Sequence, residues 1–380
     1  MIPYGSLYFF YIVFLALIIA VILGLKEKPI KVYGYIINLP FLFLIFGNSK
    51  YETVCLFLFY IGELVLIKGY VLLRKRGSKK WVGWIVGALS TSPLVLVKIT
   101  PTLFNRPIGF LGISYLTFKV VQMVIEIYDG LILEVNVLEF SYFLLFFPTI
   151  SSGPIDRSRR FMDDIRNTPS KKEYIDMLGY GINSVMRGIA YKFIIAYLIN
   201  SYWIDMIPKG HSFLNTINYM YGYSLFLFFD FAGYSAIAIG VGYILGVRVS
   251  ENFDRPFISK DIKEFWNRWH MSLSFWFRDY LYTRLVMTAL KKKWFKSRLT
   301  ASYIGFIITM FVMGIWHGTE WNYIIYGLYH GILIVATDYF QKKSSTYKKC
   351  KNNTLWKFAS IAVTFNIVCF GLLIFSGYLF

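Results

Sequence analysis

The chain has 380 residues, of which 57% are hydrophobic, 20% aromatic and only 16% charged. A soluble domain cannot bury this much apolar surface, so the composition excludes a soluble protein and indicates an integral membrane protein. The net charge of +19 comes from basic residues that lie between apolar runs. This placement favours basic cytoplasmic loops and argues against nucleic-acid binding, and we expect no nucleic acid among the partners.

Low-charge apolar runs predict membrane-spanning helices, since a helix needs about 20 residues to cross a bilayer. These runs are 6–25, 32–47, 53–73, 81–97, 107–125, 180–198, 213–246, 301–316, 321–337 and 356–379. The basic loops that follow the first and third runs are predicted to be cytoplasmic, which places the N-terminus outside. The sequence therefore predicts an all-α polytopic membrane protein in contact with membrane lipid.

The apolar run 138–150 is too short to cross. At 1.5 Å per residue its 13 residues extend about 20 Å, against about 30 Å of hydrocarbon. We expect a re-entrant segment with both ends cytoplasmic, which keeps the basic segment 156–166 inside. The predicted organisation is a single integral-membrane domain, 1–380. It comprises N-terminal spans (1–137), the re-entrant segment and a basic loop (138–178), a catalytic core (179–340) and a C-terminal span (341–380).

The run 213–246 is longer than one span needs and is interrupted by Asp230, Gly233, Gly240 and Gly242. This interruption predicts a tilted or broken helix. In the basic stretch that follows, apolar residues recur every three to four residues, which predicts one amphipathic helix in the inner interface. They are Phe265, Trp269, Leu273, Trp276 and Tyr280.

Runs 301–316 and 321–337 predict a helical hairpin with His317 near its apex. Each arm has only 16 or 17 residues, so the turn His317–Glu320 is expected to lie within the membrane depth. An ionisable residue there is by default a functional candidate, and an imidazole with a pKa near 6.5 suits general-base chemistry. The alternative is a neutral imidazole bonded to Glu320 or a backbone carbonyl. His330 is expected to pack, and His270 could be catalytic or merely solvated.

Four segments of the second half of the chain form a recognisable set of motifs. They are "WHG" (Trp316–Gly318), "FDFAGYSAIAIG" (Phe229–Gly240), "ENFDRPF" (Glu251–Phe257) and "FWNRWHMSLSFWFRDYLY" (Phe265–Tyr282). Together these segments resemble the membrane-bound O-acyltransferase (MBOAT) family. "FLGISYLTFKVVQMVIEIYDG" (Phe110–Gly130) and "SSGPIDRSRRF" (Ser151–Phe161) are similar to the branch of the family that transfers D-alanine to teichoic acids.

The resemblance implies a ring of about 10–11 transmembrane helices, with re-entrant and interfacial helices, around a central funnel and tunnel. It assigns catalysis to His317 and His270. The positions assigned to the tunnel and its support are Trp316, Gly318, Glu320, Asn267, Arg268 and Asp230. The sequence gives no indication of a bound metal, and no bound cofactor is expected.

The resemblance also implies a donor: D-alanine held as a thioester on the phosphopantetheine of an acidic cytoplasmic carrier protein. The acceptor side is teichoic acid or a protein that relays D-alanine to it. Residues expected to bind the carrier are Arg284, Leu285, Val286, Met287, Lys291, Lys292 and Lys293. The alternative is that these charges follow the positive-inside rule and attract anionic lipid.

Two other functions stay open from the sequence. One is O-acetyl transfer to an exopolysaccharide on the same fold, and the other is a permease or flippase, which buried polar groups and a broken helix would also suit. The expected location is the plasma membrane of a bacterium of the Gram-positive type.

Overall fold

The computed structural model describes residues 2–104, 108–208, 210 and 212–380; Pro107, which begins the fifth predicted run, lies outside them. Regular structure in this part of the chain is helical, apart from an isolated antiparallel bridge between Phe253 and Trp269. The prediction of an all-α polytopic protein is confirmed. The chain forms two compact units, Met1–Ile189 with Gly233–Ser250, and Ala190–Ala232 with Glu251–Phe380.

Within the described residues, the first unit contains eight α-helices and the end of a ninth that begins in the second unit. They are α1 (Leu7–Leu25), α2 (Lys31–Phe46), α3 (Lys50–Lys75), α4 (Trp81–Phe104), α5 (Ile113–Tyr128), α6 (Val137–Leu145), α7 (Ser158–Arg166) and α8 (Lys171–Ile189). Helix starts follow the capping rules: Ser6, Ser49 and Asn136 each accept a hydrogen bond from a backbone N–H of the first turn.

The second unit holds the remaining helices. They are α9 (Tyr197–Ile199), flanked by π-helical turns Ala190–Ala196 and Asn200–Ile204, then α10 (Phe213–Ile244), α11 (Ile262–Trp266), α12 (Met271–Phe277), a π-helical turn Arg278–Tyr282, α13 (Thr283–Lys291), α14 (Arg298–His317), α15 (Trp321–Lys343), α16 (Ser345–Cys350) and α17 (Thr354–Phe375). α10 ends in the first unit.

Among the described residues, seven helices are long and apolar enough to cross a membrane. They are Leu7–Leu25, Lys50–Lys75, Trp81–Thr100, Lys171–Ile204, Phe213–Ile244, Arg298–His317 and Thr354–Phe375. The other three predicted runs correspond to α2, α5 and α15, helices of 16, 16 and 23 residues. The chain is therefore a multi-pass membrane protein.

The predicted re-entrant segment is a short helix held by a buried charge. α6 has nine residues and rises only about 14 Å, so it cannot span the bilayer. Lys119, 1% exposed, donates to the carbonyls of Phe143 and Leu144 in the last turn of α6, at 3.0 and 3.5 Å, and to Thr149 at 3.2 Å. The ammonium thus satisfies carbonyls that a helix end leaves without partners.

Of the two predicted alternatives for the long apolar run, a tilted or a broken helix, the broken one is wrong, since α10 is continuous over 32 residues. Its glycines serve close packing. A Cβ on Gly240 would lie 2.5 Å from the carbonyl oxygen of Gly181 in α8. Asp230 is accommodated by an ion pair with Lys192. A helix of this length is tilted if its apolar residues are to match the bilayer.

The predicted amphipathic helix around His270 is also wrong. The segment is divided into α11, α12 and α13, and the turn between α11 and α12 carries His270 at φ +44°. The expected lipid-facing aromatics are inside the protein, with Phe265 0% and Trp269 5% exposed. The periodic spacing therefore marked core positions.

His317 is the last residue of α14, as the hairpin predicted, but the arms are longer than expected. α14 has 20 residues and α15 has 23, because both helices continue past the apolar runs to basic residues at the ends away from His317. Both arms reach about 30 Å or more. The residues added to the arms are mainly polar ends of the helices, so the position of the turn within the membrane depth stays a prediction.

Candidate active site

The α14–α15 hairpin is closely packed because glycines face each other across it. A Cβ on Gly314 would lie 2.4 Å from the carbonyl oxygen of Tyr323, and a Cβ on Gly327 would lie 2.4 Å from that of Met310. Any side chain at these positions would collide with backbone. The two glycines thereby let α14 approach α15 at its end, where His317 lies.

Four aromatic rings surround the His317 imidazole, and together we call them the aromatic cluster. Their centroids lie 4.5 Å (Trp316), 4.9 Å (Phe375), 6.2 Å (Tyr323) and 6.3 Å (Tyr326) from that of the imidazole. His317 stays half-buried. The imidazole is thus oriented by rigid neighbours and remains accessible, as a base that must meet a substrate requires.

Gly318 explains how one ring of the cluster reaches this position. A Cβ on Gly318 would lie 2.3 Å from the ring of Tyr323. Gly318 therefore leaves room for a side chain of the next helix, since Tyr323 lies in the first turn of α15.

His270 is positioned by a short backbone pairing. The Met271 N–H donates to the Asn252 carbonyl at 2.9 Å, and the Asp254 N–H donates to the Arg268 carbonyl at 3.0 Å, on either side of the isolated bridge. The pairing brings Asn252 beside His270. The left-handed backbone of His270, at φ +44°, costs about 1–3 kcal/mol in a residue with a side chain, and such strain is concentrated at functional sites.

The hydrogen bonds of Asn252 determine which nitrogen of His270 carries the proton. Asn252 Oδ1 lies 3.3 Å from the Ser272 backbone N–H, 2.6 Å from Ser272 Oγ and 3.3 Å from His270 Nδ1. A backbone N–H can only donate, so the asparagine atom that faces it is the acceptor oxygen. Nδ1 of His270 therefore donates, and in the neutral ring Nε2 carries the lone pair.

The two imidazoles are electrostatically coupled. His270 lies outside the spanning helices and is 3% exposed. Burial, followed by the charge of His317, lowers the pKa of His270 to about 3. His270 is thus neutral at physiological pH, and its Nε2 can accept a hydrogen bond. Phe231 of α10 packs edge-on against its ring at 4.8 Å.

The predicted supporting residues occupy different surroundings. Trp316 and Gly318 adjoin His317 directly. Arg268 forms an ion pair with Glu264 at 2.7 Å, and its carbonyl belongs to the backbone pairing that positions His270. Asp230 pairs with Lys192, whereas Asn267 and Glu320 are exposed at the end of α11 and the start of α15.

His330 has the packing role that the sequence predicted. It is 0% exposed, and its ring lies 4.6 Å from Tyr326 and 5.2 Å from both Trp266 and Tyr329. A Cβ on Gly371 of α17 would lie 2.6 Å from its Nε2. His330 therefore supports the cluster from behind Tyr326.

The residues expected to bind a carrier lie on and just after α13. Lys291, Lys292 and Lys293 are exposed and Met287 is 61% exposed, while Arg284, Leu285 and Val286 are half-buried. The Val286 side chain would collide with a Cβ on Gly305, so it faces α14. Trp294, which the sequence reasoning missed, is 52% exposed, and the Lys292 ammonium lies 5.8 Å from its ring centroid.

Sequence reasoning also missed the residues that hold the two histidines. Asn252 and Ser272 each lie within one of the family motifs, but nothing in the spacing of the two motifs predicts a hydrogen bond between them. Tyr323 and Tyr326 share one face of α15 with His330, a spacing that also fits ordinary core packing. Phe375 joins the cluster from α17, which no local pattern could indicate.

Comparisons with known proteins give a consistent result. The model of MBOAT, the membrane-bound O-acyltransferase family, matches residues 49–376. The teichoic acid D-alanyltransferase of Bacillus subtilis (strain 168) is 47% identical over 99% of this chain and 98% of its own length. The protein of the same name from Streptococcus thermophilus (strain ATCC BAA-250 / LMG 18311) is 40% identical over 99% and 95%. A Pseudomonas fluorescens protein named "Probable alginate O-acetylase AlgI" is 29% identical over 94% of this chain and 71% of its own length.

Proposed function

Since the chain belongs to the membrane-bound O-acyltransferase family and is an acyltransferase, we propose that it transfers D-alanine to hydroxyl groups of teichoic acid. Support comes from the identity of 40–47% to proteins of that name over nearly the whole chain, against 29% to the alginate protein. Family membership favours covalent acyl transfer over the permease or flippase that the sequence left open.

The donor in this proposal is D-alanine as a thioester on the phosphopantetheine arm of an acidic carrier protein at the cytoplasmic face. The exposed lysines after α13, with Met287 and Trp294 beside them, support docking of such a carrier. An apolar centre with a basic rim suits a transient complex with an acidic partner. The location is then the plasma membrane of a Gram-positive bacterium, with the N-terminus and the product outside.

The reaction moves the D-alanyl group from the thioester sulfur, which leaves, to the acceptor hydroxyl oxygen, which attacks. His317 takes the proton from an acceptor hydroxyl as its oxygen attacks the thioester carbonyl. A carbon–oxygen bond forms, the carbon–sulfur bond breaks, and the proton on His317 passes to the thiolate. The products are a D-alanyl ester and a free pantetheine thiol, so His317 returns to its neutral form. The hydroxyl belongs to teichoic acid or to a protein that relays D-alanine.

His270 has a separate role in this scheme. With its proton on Nδ1 and held by Asn252, it presents Nε2 as an acceptor. A neutral acceptor close to His317 can orient the attacking hydroxyl or an amide N–H of the pantetheine arm. The single observation that carries the proposal is this arrangement: an accessible imidazole on an aromatic cluster, coupled to a second imidazole that is buried and neutral.

A donor comparison tests the proposal. The purified protein in vesicles that contain teichoic acid is given D-alanyl or acetyl thioesters of the same carrier, and ester formation on the acceptor is measured. We expect D-alanyl ester formation that depends on His317. Preferential acetyl transfer would favour the exopolysaccharide O-acetyltransferase, and acceptor movement without a covalent product would contradict acyl transfer.

A further inference from the structure

We propose that the aromatic cluster at His317 binds the α-ammonium group of the D-alanyl donor and so selects an aminoacyl over a neutral acyl group. The inference rests on the proposed function, because it concerns the donor that His317 acts upon. The aromatic cluster would then have two roles: it positions the imidazole of His317, and it binds a cation.

The chemistry of the donor fixes where its ammonium must lie. The ammonium nitrogen is two bonds from the carbonyl carbon, a separation of about 2.5 Å. The attacking oxygen must lie about 3–3.5 Å from that carbon and about 2.6–3.2 Å from the nitrogen of the base. A D-alanyl group in position to react at His317 thus carries its ammonium within roughly 9 Å of the basic imidazole nitrogen. The four ring centroids, at 4.5–6.3 Å, occupy this region.

The rings are suited to bind a cation there. A cation within about 6 Å of a ring centroid is attracted by the negative face of the ring. Phe375 lies 5.1 Å from both Tyr323 and Tyr326 in edge-to-face contacts, so it packs against both rings, and Tyr326 itself is 2% exposed. Trp316, Tyr323 and Phe375 are only half-buried. Partial exclusion of water strengthens the attraction, which is about 0.5 kcal/mol at exposed sites and about 2 kcal/mol when desolvated.

Phe375 is the best position at which to test the site because its backbone is anchored independently of its ring. Asn322 of α15 donates a hydrogen bond to the Phe375 carbonyl at 2.9 Å. Tyr329 donates to the Ile367 carbonyl at 2.9 Å, which joins α15 to α17 a second time. A change of the ring to another apolar side chain keeps both bonds.

The test measures selectivity between two donors of nearly the same shape. D-alanyl and propionyl thioesters of the same carrier differ by the ammonium group, and kcat/KM is measured for each. We expect Phe375→Leu to reduce the ratio of D-alanyl to propionyl kcat/KM about 2- to 30-fold, the range that corresponds to a lost cation–π contact. The matched control is Phe370→Leu on the same helix, 44% exposed and in contact with Tyr329, which should keep the wild-type ratio.

The outcomes separate the inference from the proposed function. An equal fall for both donors in Phe375→Leu would overturn the inference, because the ring would then only position His317. A wild-type protein that transfers propionyl but no D-alanyl groups would overturn the proposed function itself.

Should Phe375→Leu fail to fold, phenylalanines with one to three ring fluorines at position 375 provide a second test. Fluorination weakens the negative face of the ring and hardly changes its size. We expect the D-alanyl to propionyl ratio to fall stepwise with fluorine number, whereas a constant ratio would contradict cation binding.

Discussion

The glycine contact between α14 and α15 gives the most quantitative test of how the fold positions the site. Gly314→Ala places a Cβ 2.4 Å from the Tyr323 carbonyl oxygen, whereas Cβ atoms essentially never lie within 3.0 Å of another heavy atom. The obstructing atom is backbone and cannot rotate away. The helices must therefore separate by at least about 0.6 Å, and His317 moves relative to the rings of α15 and to His270.

The magnitude follows from the sensitivity of catalysis to geometry. A misplacement of about 1 Å can reduce a rate by about 10²-fold, so we expect kcat of Gly314→Ala to fall about 10- to 100-fold. The free energy of unfolding should fall by about 1–3 kcal/mol, the usual cost of overpacking. The assay is D-alanyl transfer at saturating donor, with thermal unfolding measured in the same detergent.

Gly179→Ala in α8 is the matched control. A Cβ there meets no atom within 4 Å, and alanine is favoured over glycine in a helix by up to about 1 kcal/mol. This variant should keep wild-type kcat and equal or greater stability. A folded Gly314→Ala protein with wild-type kcat would refute the argument that close packing of the hairpin positions His317.

Three further predictions concern His270 and the carrier. Asn252→Leu removes the acceptor that orients His270 and should reduce kcat about 10- to 100-fold with little change in KM. Ser272→Ala keeps the hydrogen bond between Asn252 and His270 and should reduce kcat much less. Equal reductions of kcat in the two variants would contradict the tautomer assignment. The pKa of His270 is about 3 in the folded protein and about 6.5 in the unfolded chain. Between these pH values the unfolded chain binds one more proton than the folded protein does. The free energy of unfolding therefore falls by up to about 1.4 kcal/mol per pH unit as the pH drops below 6.5. Thermal unfolding between pH 7.5 and 5 should accordingly depend less on pH in His270→Gln than in the wild type, and an unchanged slope would argue against a neutral buried imidazole. Substitution of Lys291, Lys292 and Lys293 by Glu should weaken carrier binding about tenfold or more and reduce its salt dependence. The same substitution at the exposed Lys348, Lys349 and Lys351 is the control and should leave carrier binding unchanged. Equal effects of the two sets would indicate a general effect of charge.

Features set by local composition could be predicted from the sequence. Membrane helices, the apex position of His317 and the packing of His330 follow from the lengths of apolar runs and from the placement of charge between them. These properties depend on the thickness of the bilayer and on helix geometry, and both are the same for every segment of the chain.

Features set by contacts between distant segments could not be predicted. The glycines of α10 suggested a break because the close contact with α8 is invisible in the sequence. The aromatic period around His270 fitted an amphipathic helix equally well, since buried and interfacial faces share that spacing. Asn252 lies 18 residues before His270, and Phe375 comes from a different helix than His317. Only the folded chain shows that they belong to the site.

The central claim is that His317 performs the acyl transfer, and a single-turnover measurement tests it most directly. Vesicles that hold wild-type protein or His317→Ala are mixed with saturating D-alanyl carrier thioester, and ester formation on teichoic acid is followed while carrier binding is measured in parallel. We expect the variant to bind the carrier normally and to form ester about 10²- to 10⁴-fold more slowly, the range attributed to a positioned base. A His317→Ala protein that forms ester at the wild-type rate would contradict the account.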